Sequence, residues 1–135
     1  MEKVLTFYLC DGLFGIDITL VKEINRNVEF TPVPGSSPNI EGLLNLRGQI
    51  VTLFNLARVM GYKEKKWGQK STSVILKADS NDSNHIGFLI DKAGDVVDID
   101  KNECEAPPAN VGVIEGEFLH SVVKLKDELL MIIDP

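Results

Sequence analysis

The sequence predicts a mainly β fold in which two small β-barrels share one hydrophobic core. Apolar residues alternate along many short runs separated by turn residues, a pattern typical of short strands. The strand pattern alone would also fit a sandwich. An internal echo favours two similar halves, and a unit of about 65 residues, which buries only about 60% of its unfolded surface, gains by packing against another.

The first strands follow from alternation and from turn residues. Residues 4–9 alternate, with Leu5, Phe7 and Leu9 on one face of a strand and Val4, Thr6 and Tyr8 on the other. Asp11-Gly12 predicts a hairpin turn because glycine accepts a positive φ. Residues 13–18 form the returning strand. Residues 30–38 predict a loop, since their prolines cannot donate to a β-ladder, with Ser37 capping one short turn that begins at Pro38.

Between these elements, residues 19–24, "TLVKEI", predict a short helix. If Leu20 and Ile24 face the core, Val21 and Glu23 fall on opposite flanks, about 80° from the centre of the buried face. Val21 is then an apolar residue at the border of the core, available to a partner.

The central run "GLLNLRGQIVTLFN", residues 42–55, predicts two strands around a turn at Arg47-Gly48. Gly48 can adopt the positive φ of a tight turn, so that Arg47 reaches solvent while its apolar neighbours stay in the sheet. A brief helix within 55–61 ends at Gly61, and residues 62–72 form a polar connector. Further strands are predicted at 73–78, 85–91, 94–99, 118–126 and 128–133.

The same apolar pattern occurs twice in the chain. When residues 42–55 are set above residues 121–134, "SVVKLKDELLMIID", the apolar positions coincide. Arg47-Gly48 then falls on Lys126-Asp127, which predicts equivalent hairpin tips in two similar halves.

A weaker echo relates residues 14–24 to 85–99, since both have a strand, an aspartate and a further apolar stretch. We expect one domain over residues 1–135, built from two subdomains. Subdomain 1 covers roughly residues 14–66 with contributions from the termini, subdomain 2 covers roughly 70–135, and the strand at 3–10 is a candidate for sharing between them.

Composition limits the classes of function. The formal net charge of −6 argues against a general nucleic-acid binder, which needs Lys and Arg to neutralise phosphates. No run of 18 or more apolar residues exists, so we expect no direct membrane insertion. Cys10 and Cys104 lie far apart without a CxxC motif, and the first residues do not resemble a signal peptide; both observations favour a cytoplasmic protein with reduced thiols.

The sequence contains no recognisable catalytic or metal-binding motif, and we predict no enzyme activity, cofactor or metal site. His85 and His120 lack metal-ligand spacing, and residues 79–84 depart from a calcium loop. One alternative function remains open. Residues 63–70, "KEKKWGQK", combine lysines with Trp67, as in small barrels that bind single-stranded nucleic acid; a solvated loop explains them better in an acidic chain.

Five segments spread over almost the whole chain match the motifs of one family in order and spacing: "TFYLCDGLFGIDITLVKEI" (6–24), "TPVP" (31–34), "IEGLLNLRGQIV" (40–51), "LFNLARVMG" (53–61) and "IGFLIDKAGDVV" (86–97). Together they resemble the family of the chemotaxis coupling protein CheW. The resemblance implies two SH3-like five-stranded β-barrels on one core, with a few short helices. It also implies a non-catalytic adaptor that joins the tip of methyl-accepting chemoreceptors to the regulatory domain of the histidine kinase CheA, recruited to membrane receptor arrays.

The resemblance also implies which residues contact partners. Arg47 and Glu23 match an arginine and a glutamate of the family's motifs, and Arg47 is expected to pair either with a carboxylate at the rim of a groove or with Glu23. The groove would receive the receptor's helical hairpin. Small apolar residues are expected to line this groove between the barrels: Val21, Ile50, Gly87 and Val96.

Overall fold

The computed structural model describes residues 2–35, 37–61, 70–77, 85–106 and 119–133. None of the helices in these ranges is long and apolar enough to cross a membrane. In chain order the elements are β1 (Glu2–Leu9), β2 (Gly12–Asp17), a 3-10 helix (Ile18–Leu20), β3 (Val21–Glu29), β4 (Ile40–Leu46), β5 (Gln49–Phe54), α1 (Leu56–Val59), β6 (Lys70–Leu76), β7 (His85–Ile90), β8 (Lys92–Ile99), a 3-10 helix (Lys101–Glu103), β9 (Cys104–Glu105), β10 (Leu119–Lys124) and β11 (Leu129–Ile133).

The strands form two sheets, which we term barrel A and barrel B. Barrel A has the order β8-β1-β2-β11-β10-β9, and barrel B has the order β3-β6-β7-β5-β4. The chain therefore starts in barrel A, builds barrel B with β3 to β7, and returns to barrel A at β8. These bounds differ from the predicted subdomains 14–66 and 70–135, because β6 pairs with β3 and β7 pairs with β5. The alternation of apolar residues does not determine which distant strands pair.

Each sheet closes at its edges into a small barrel. In barrel B, Thr31 and Leu43 exchange two backbone hydrogen bonds of 2.8 and 2.9 Å, which link the chain after β3 to β4. In barrel A, the chain after the edge strand β8 continues through one 3-10 turn into β9. Strand β9 pairs with β10, where Glu105 lies opposite Val122. Leu43 and Val122 coincide in the sequence echo, so the two barrels close at equivalent positions. The predicted fold class, mainly β with two SH3-like barrels, is confirmed.

Three apolar clusters stabilise the fold, one inside each barrel and one between them. The shared cluster joins residues of β1 and β2 to residues of β6, β7 and α1, and the alternation of side chains along each strand separates it from the barrel interiors. Its buried members are Leu5, Phe7, Leu9, Phe14, Ile16, Val21, Leu56, Ala57, Met60, Val74, Phe88, Ile90 and Ile133.

An aspartate stands at each passage between the barrels. The Oδ1 of Asp17 accepts hydrogen bonds from the backbone N–H and the hydroxyl of Thr19, at 3.0 and 2.9 Å. The Oδ2 of Asp91 accepts the N–H of Cys10 at 2.9 Å, and the N–H of Asp91 donates to the carbonyl of Tyr8 at 3.0 Å. The weaker sequence echo therefore marks two crossings between the barrels, each with an aspartate whose carboxylate accepts a backbone N–H: Asp17 within its own crossing, and Asp91 from the turn between β1 and β2.

The helix predicted over residues 19–24 is wrong. Only Ile18–Leu20 is helical, as one 3-10 turn, and β3 begins at Val21, opposite Leu76 of β6. Pairing with β6 overrides the helical spacing, and the β-branched residues of this segment favour an extended chain. The faces change with it: Leu20 is 40% exposed, whereas Val21 is 8% exposed and belongs to the shared cluster.

The first hairpin turn lies one residue earlier than predicted: the positive φ values are those of Cys10 (+50°) and Asp11 (+66°), and Gly12 already belongs to β2. The remaining local predictions hold with small shifts. Asn55 caps α1 by accepting the N–H of Arg58 at 3.1 Å, and Gly61 follows with a φ of +86°. Ser37 closes a turn, since its carbonyl accepts the N–H of Ile40 at 2.9 Å. The strands predicted from residues 73 and 94 begin earlier, at 70 and 92, and the strand predicted at 118–126 ends at 124. Residues 62–69 and 79–84 lie outside the described ranges.

Replacing Ser73 with alanine is expected to stabilise the protein. Ser73 is 0% exposed on β6, and its hydroxyl has no hydrogen-bond partner among the residues described. Because a buried polar group without a partner has lost its hydration, removing the hydroxyl should raise the free energy of unfolding by about 1 kcal/mol. Urea unfolding measures the change.

Ser121→Ala provides a matched control. Ser121 is 5% exposed, and its hydroxyl lies 3.4 Å from Nδ1 of His120. This control should leave stability unchanged or lower it. If Ser73→Ala lowers the free energy of unfolding instead of raising it, the Ser73 hydroxyl has a hydrogen-bond partner and the prediction is wrong.

Candidate functional site

The central hairpin presents Arg47 at its tip. Arg47 and Gly48 have φ values of +50° and +86°, which form the two-residue turn between β4 and β5. The Oδ1 of Asn45 accepts the N–H of Gly48 at 3.0 Å. The side chain of Arg47 is 66% exposed, as the sequence predicted for an arginine in an apolar run.

Arg47 makes a two-point ion pair with Glu23. Its Nη2 lies 2.6 Å from Oε1 of Glu23 and its Nη1 lies 3.4 Å from Oε2. The Glu23 carboxylate raises the pKa of Arg47, first by accepting this hydrogen bond and second by charge attraction. Of the two partners that the sequence left open, the structure places Glu23 against Arg47, and the guanidinium stays charged.

A β-bulge gives Glu23 this position. On β3, Val21 lies opposite Leu76 and Glu23 lies opposite Ile75, so Lys22 is an extra residue in the ladder. An inserted residue changes the faces on which the following side chains lie. The ion pair joins β3 to the turn after β4, and these two strands are the edges of barrel B.

An apolar groove of about 600 Å³ lies between the barrels. Barrel B supplies most of it, barrel A supplies Ile133, and the crossing segment after β2 supplies Leu20. Among the described residues that line it, all but Asn39 and Lys77 are apolar or glycine: Leu20, Phe54, Leu56, Val59, Leu76, Ile86, Gly87, Phe88 and Ile133.

The outer face of β5 and β7 leads from this groove toward the hairpin tip. Thr52 pairs with Ile86 in the parallel ladder, and Ile50 lies two residues before Thr52, about 7 Å along the same face. Ile86 is 41% exposed and Ile50 is 64% exposed. The apolar surface therefore continues beyond the groove to the residues next to Arg47.

Of the residues predicted to line the groove, the structure places Gly87 there. A Cβ added to Gly87 would lie 2.9 Å from the carbonyl oxygen of Val74 and 2.9 Å from Cδ1 of Ile75. A side chain at this position would collide with the neighbouring strand. Gly87 is therefore required by strand packing, and its backbone forms part of the groove wall.

Val21 and Val96 do not line the groove. Val21 is buried in the shared cluster, so the predicted border position is wrong. Val96 is 51% exposed, but it lies on β8 of barrel A opposite Leu5. The structure thus brings Glu23 and Arg47 together, places Ile50 on the face that leads from the groove, and places Val96 on a strand of the other barrel.

Sequence reasoning missed most of the groove lining. Leu20 was assigned to the core, and Ile86 and Leu76 received no role. Alternation along β5 was a usable signal, because Ile50, Thr52 and Phe54 must share one face. The partner of that face could not be recognised without the parallel pairing of β5 with β7.

Comparisons with known proteins agree over almost the whole chain. A family model described as CheW-like domain matches residues 3–135. The chemotaxis protein CheW of Treponema pallidum (strain Nichols) is 29% identical over 134 residues, which cover 98% of this chain and 78% of that protein. CheW of Thermotoga maritima is 30% identical over 132 residues, covering 98% of this chain and 83% of that protein.

The crystal structure of the scaffolding protein TtCheW from Thermoanaerobacter tengcongensis has the same fold. Its TM-score with this chain is 0.83 at 30% sequence identity, and the match covers 99% of this chain and 89% of that chain. Both sequence and fold therefore agree from the first strand to the last, and the chain belongs to the CheW-like domain family.

Proposed function

We propose that this protein is a non-catalytic adaptor that couples methyl-accepting chemoreceptors to the histidine kinase CheA in a chemosensory array. The observation that carries the proposal is the open apolar groove between the barrels, in a chain of the CheW-like family. Its chemistry suits the binding of another protein, because its lining offers apolar surface and only two polar side chains among the residues described.

The groove fits an amphipathic helix from the receptor tip. Such a helix binds by laying apolar side chains, spaced three or four residues apart, into an apolar channel. Leu20 and Ile86 are 40% and 41% exposed at the groove, and Ile50 extends the surface by about 7 Å. This arrangement allows more than one helical turn to make contact, since a turn rises about 5.4 Å.

Arg47 is proposed as the polar contact beside this apolar surface. A guanidinium has five N–H donors, and the pair with Glu23 uses one on each terminal nitrogen. The remaining donors on a side chain that is 66% exposed can reach an acceptor of a receptor or of CheA. Glu23 holds the guanidinium in place before the partner arrives, which lowers the entropy lost on binding.

The alternative of binding single-stranded nucleic acid is not favoured. The family is one of chemotaxis proteins by its named relatives, and the formal net charge of −6 opposes phosphate binding. The lysines and Trp67 of residues 63–69 lie outside the described ranges. A shift of labelled single-stranded nucleic acid at low salt would revive this alternative.

Arg47→Glu is expected to weaken assembly by about tenfold without unfolding the protein. The exposed guanidinium makes few buried contacts, so the unfolding temperature should change little, whereas a carboxylate would repel Glu23 and any acidic partner group. The measurement is co-sedimentation with CheA and a receptor signalling fragment, with each component omitted in turn.

A charge-swapped variant provides the control. Glu23→Arg combined with Arg47→Glu restores an ion pair but places the charges in the opposite order. We expect it to fold like the wild type and to assemble as poorly as Arg47→Glu. If the swapped protein assembles normally, the pair serves stability alone; if the wild type captures neither partner, the adaptor proposal fails.

A further inference from the structure

We propose that Asn45 is a positioning residue that holds Arg47 in the orientation needed for partner binding. Its side-chain oxygen fixes the turn in which Arg47 lies. The inference deepens the proposed function and rests on it, since Arg47 is taken to contact a partner protein.

The backbone of Arg47 requires such support. Its φ of +50° lies in the left-handed region, where a side chain approaches the following carbonyl oxygen and which arginine seldom adopts. A residue persists there only when the surrounding structure holds it. In the described part of the chain, a side chain supplies such support: Oδ1 of Asn45 accepts the N–H of Gly48 at 3.0 Å.

The same turn conformation sets the direction of the guanidinium. A return of Arg47 to negative φ would rotate its Cα–Cβ bond and carry the long side chain away from Glu23. The contact between Nη2 and Oε1, 2.6 Å, depends on that direction. Asn45 therefore acts on Glu23 and on a partner only through Arg47.

The hairpin of barrel A that matches in sequence, β10 and β11, has a differently built turn. The turn between β10 and β11 is closed by a backbone hydrogen bond from the N–H of Leu125 to the carbonyl of Glu128, at 2.9 Å. An ion pair next to that turn joins Lys124 to Glu105 at 3.4 Å, and Lys124 belongs to β10 and not to the turn. Of these two hairpin turns as the structure describes them, the one in barrel B combines a bond from an asparagine side chain with a cation in the turn itself.

The experiment compares Asn45→Ala, which removes the side-chain oxygen that accepts the N–H of Gly48, with Asn45→Asp, which keeps such an oxygen. Gln49→Ala is the matched control, because Gln49 is an exposed residue directly after the same turn. Affinity for the receptor fragment and for CheA is measured by co-sedimentation. NMR of the Arg47 guanidinium reports rotation about its Nε–Cζ bond. The two-point pair with Glu23 slows this rotation, because it holds both terminal nitrogens.

We expect Asn45→Ala to lower affinity by the same factor as Arg47→Ala and to speed rotation of the guanidinium. Asn45→Asp should restore slow rotation and most of the affinity, while Gln49→Ala should leave both unchanged. In the double variant of Asn45→Ala with Arg47→Ala, affinity should fall no further than in Arg47→Ala alone. A role in general stability would not give this dependence.

Three results would overturn the inference: unchanged rotation in Asn45→Ala, no rescue by Asn45→Asp, or an equal effect of Gln49→Ala. The NMR measurement needs no partner. A wild-type protein that captures neither partner would therefore remove the proposed function while the placement of Arg47 by Asn45 is still tested.

Discussion

Ile86→Asp is expected to lose about a hundredfold in affinity for the receptor fragment. Ile86 lines the groove and is 41% exposed on the face that also carries Thr52. An aspartate is too short to reach solvent past a bound helix, so its charge would be buried without a partner. Because the wild-type side chain is only partly buried, the cost to folding should stay near 1 kcal/mol.

The same substitution at Leu129 is the matched control. Leu129 is 54% exposed on β11 of barrel A, coincides with Ile50 in the sequence echo and is not among the described residues that line the groove. Leu129→Asp should retain receptor capture in the same co-sedimentation assay. An equal loss of receptor capture in both variants would remove the groove as the receptor site.

Gly42→Ala is expected to destabilise the fold by about 3 kcal/mol. A Cβ at this position would lie 2.6 Å from the carbonyl oxygen of Thr31 and 2.7 Å from Cδ2 of Phe30. The chain would have to separate where Thr31 and Leu43 exchange hydrogen bonds and close barrel B. Urea unfolding monitored by circular dichroism measures the loss.

Gly48→Ala separates this collision from the general effect of replacing glycine. Nothing lies within 4 Å of a Cβ added to Gly48, but its φ is +86°. Its cost should be the left-handed conformation alone, about 1 kcal/mol. If Gly42→Ala costs no more than Gly48→Ala, the closure of barrel B tolerates a side chain and the packing argument is wrong.

The central hairpin was accessible from the sequence because its determinants are local. Gly48 permits the turn, alternation fixes the faces of both strands, and an arginine in such a turn reaches solvent. Glu23 as the partner of Arg47 was one of two possibilities, and the structure places Glu23 there. The resemblance of "NLRG" and its neighbours to a family supplied the function that these local rules could not.

The segment after β2 could not be assigned by local rules. Helical spacing fits residues 19–24, yet hydrogen bonding to β6 makes Val21 a buried strand residue. The same pairing leaves Leu20 exposed at the groove. A helix and a strand place the same side chains on different faces. Assuming a helical period therefore put Leu20 in the core and Val21 at its border, whereas Val21 is the buried residue and Leu20 is exposed.

The sequence by itself determined most of the short strands other than β3, the central hairpin turn, the repeated pattern and the family, because each depends on neighbouring residues or on motif order. Only the tertiary structure decided which strands pair within each barrel and therefore which apolar faces meet. Ile86 is an example: its alternation marks one face of β7, but that face lines a groove only because β5, α1 and Ile133 surround it. Such pairings join residues distant in the chain, and their free energy comes from side-chain packing that exists only once the barrels have assembled.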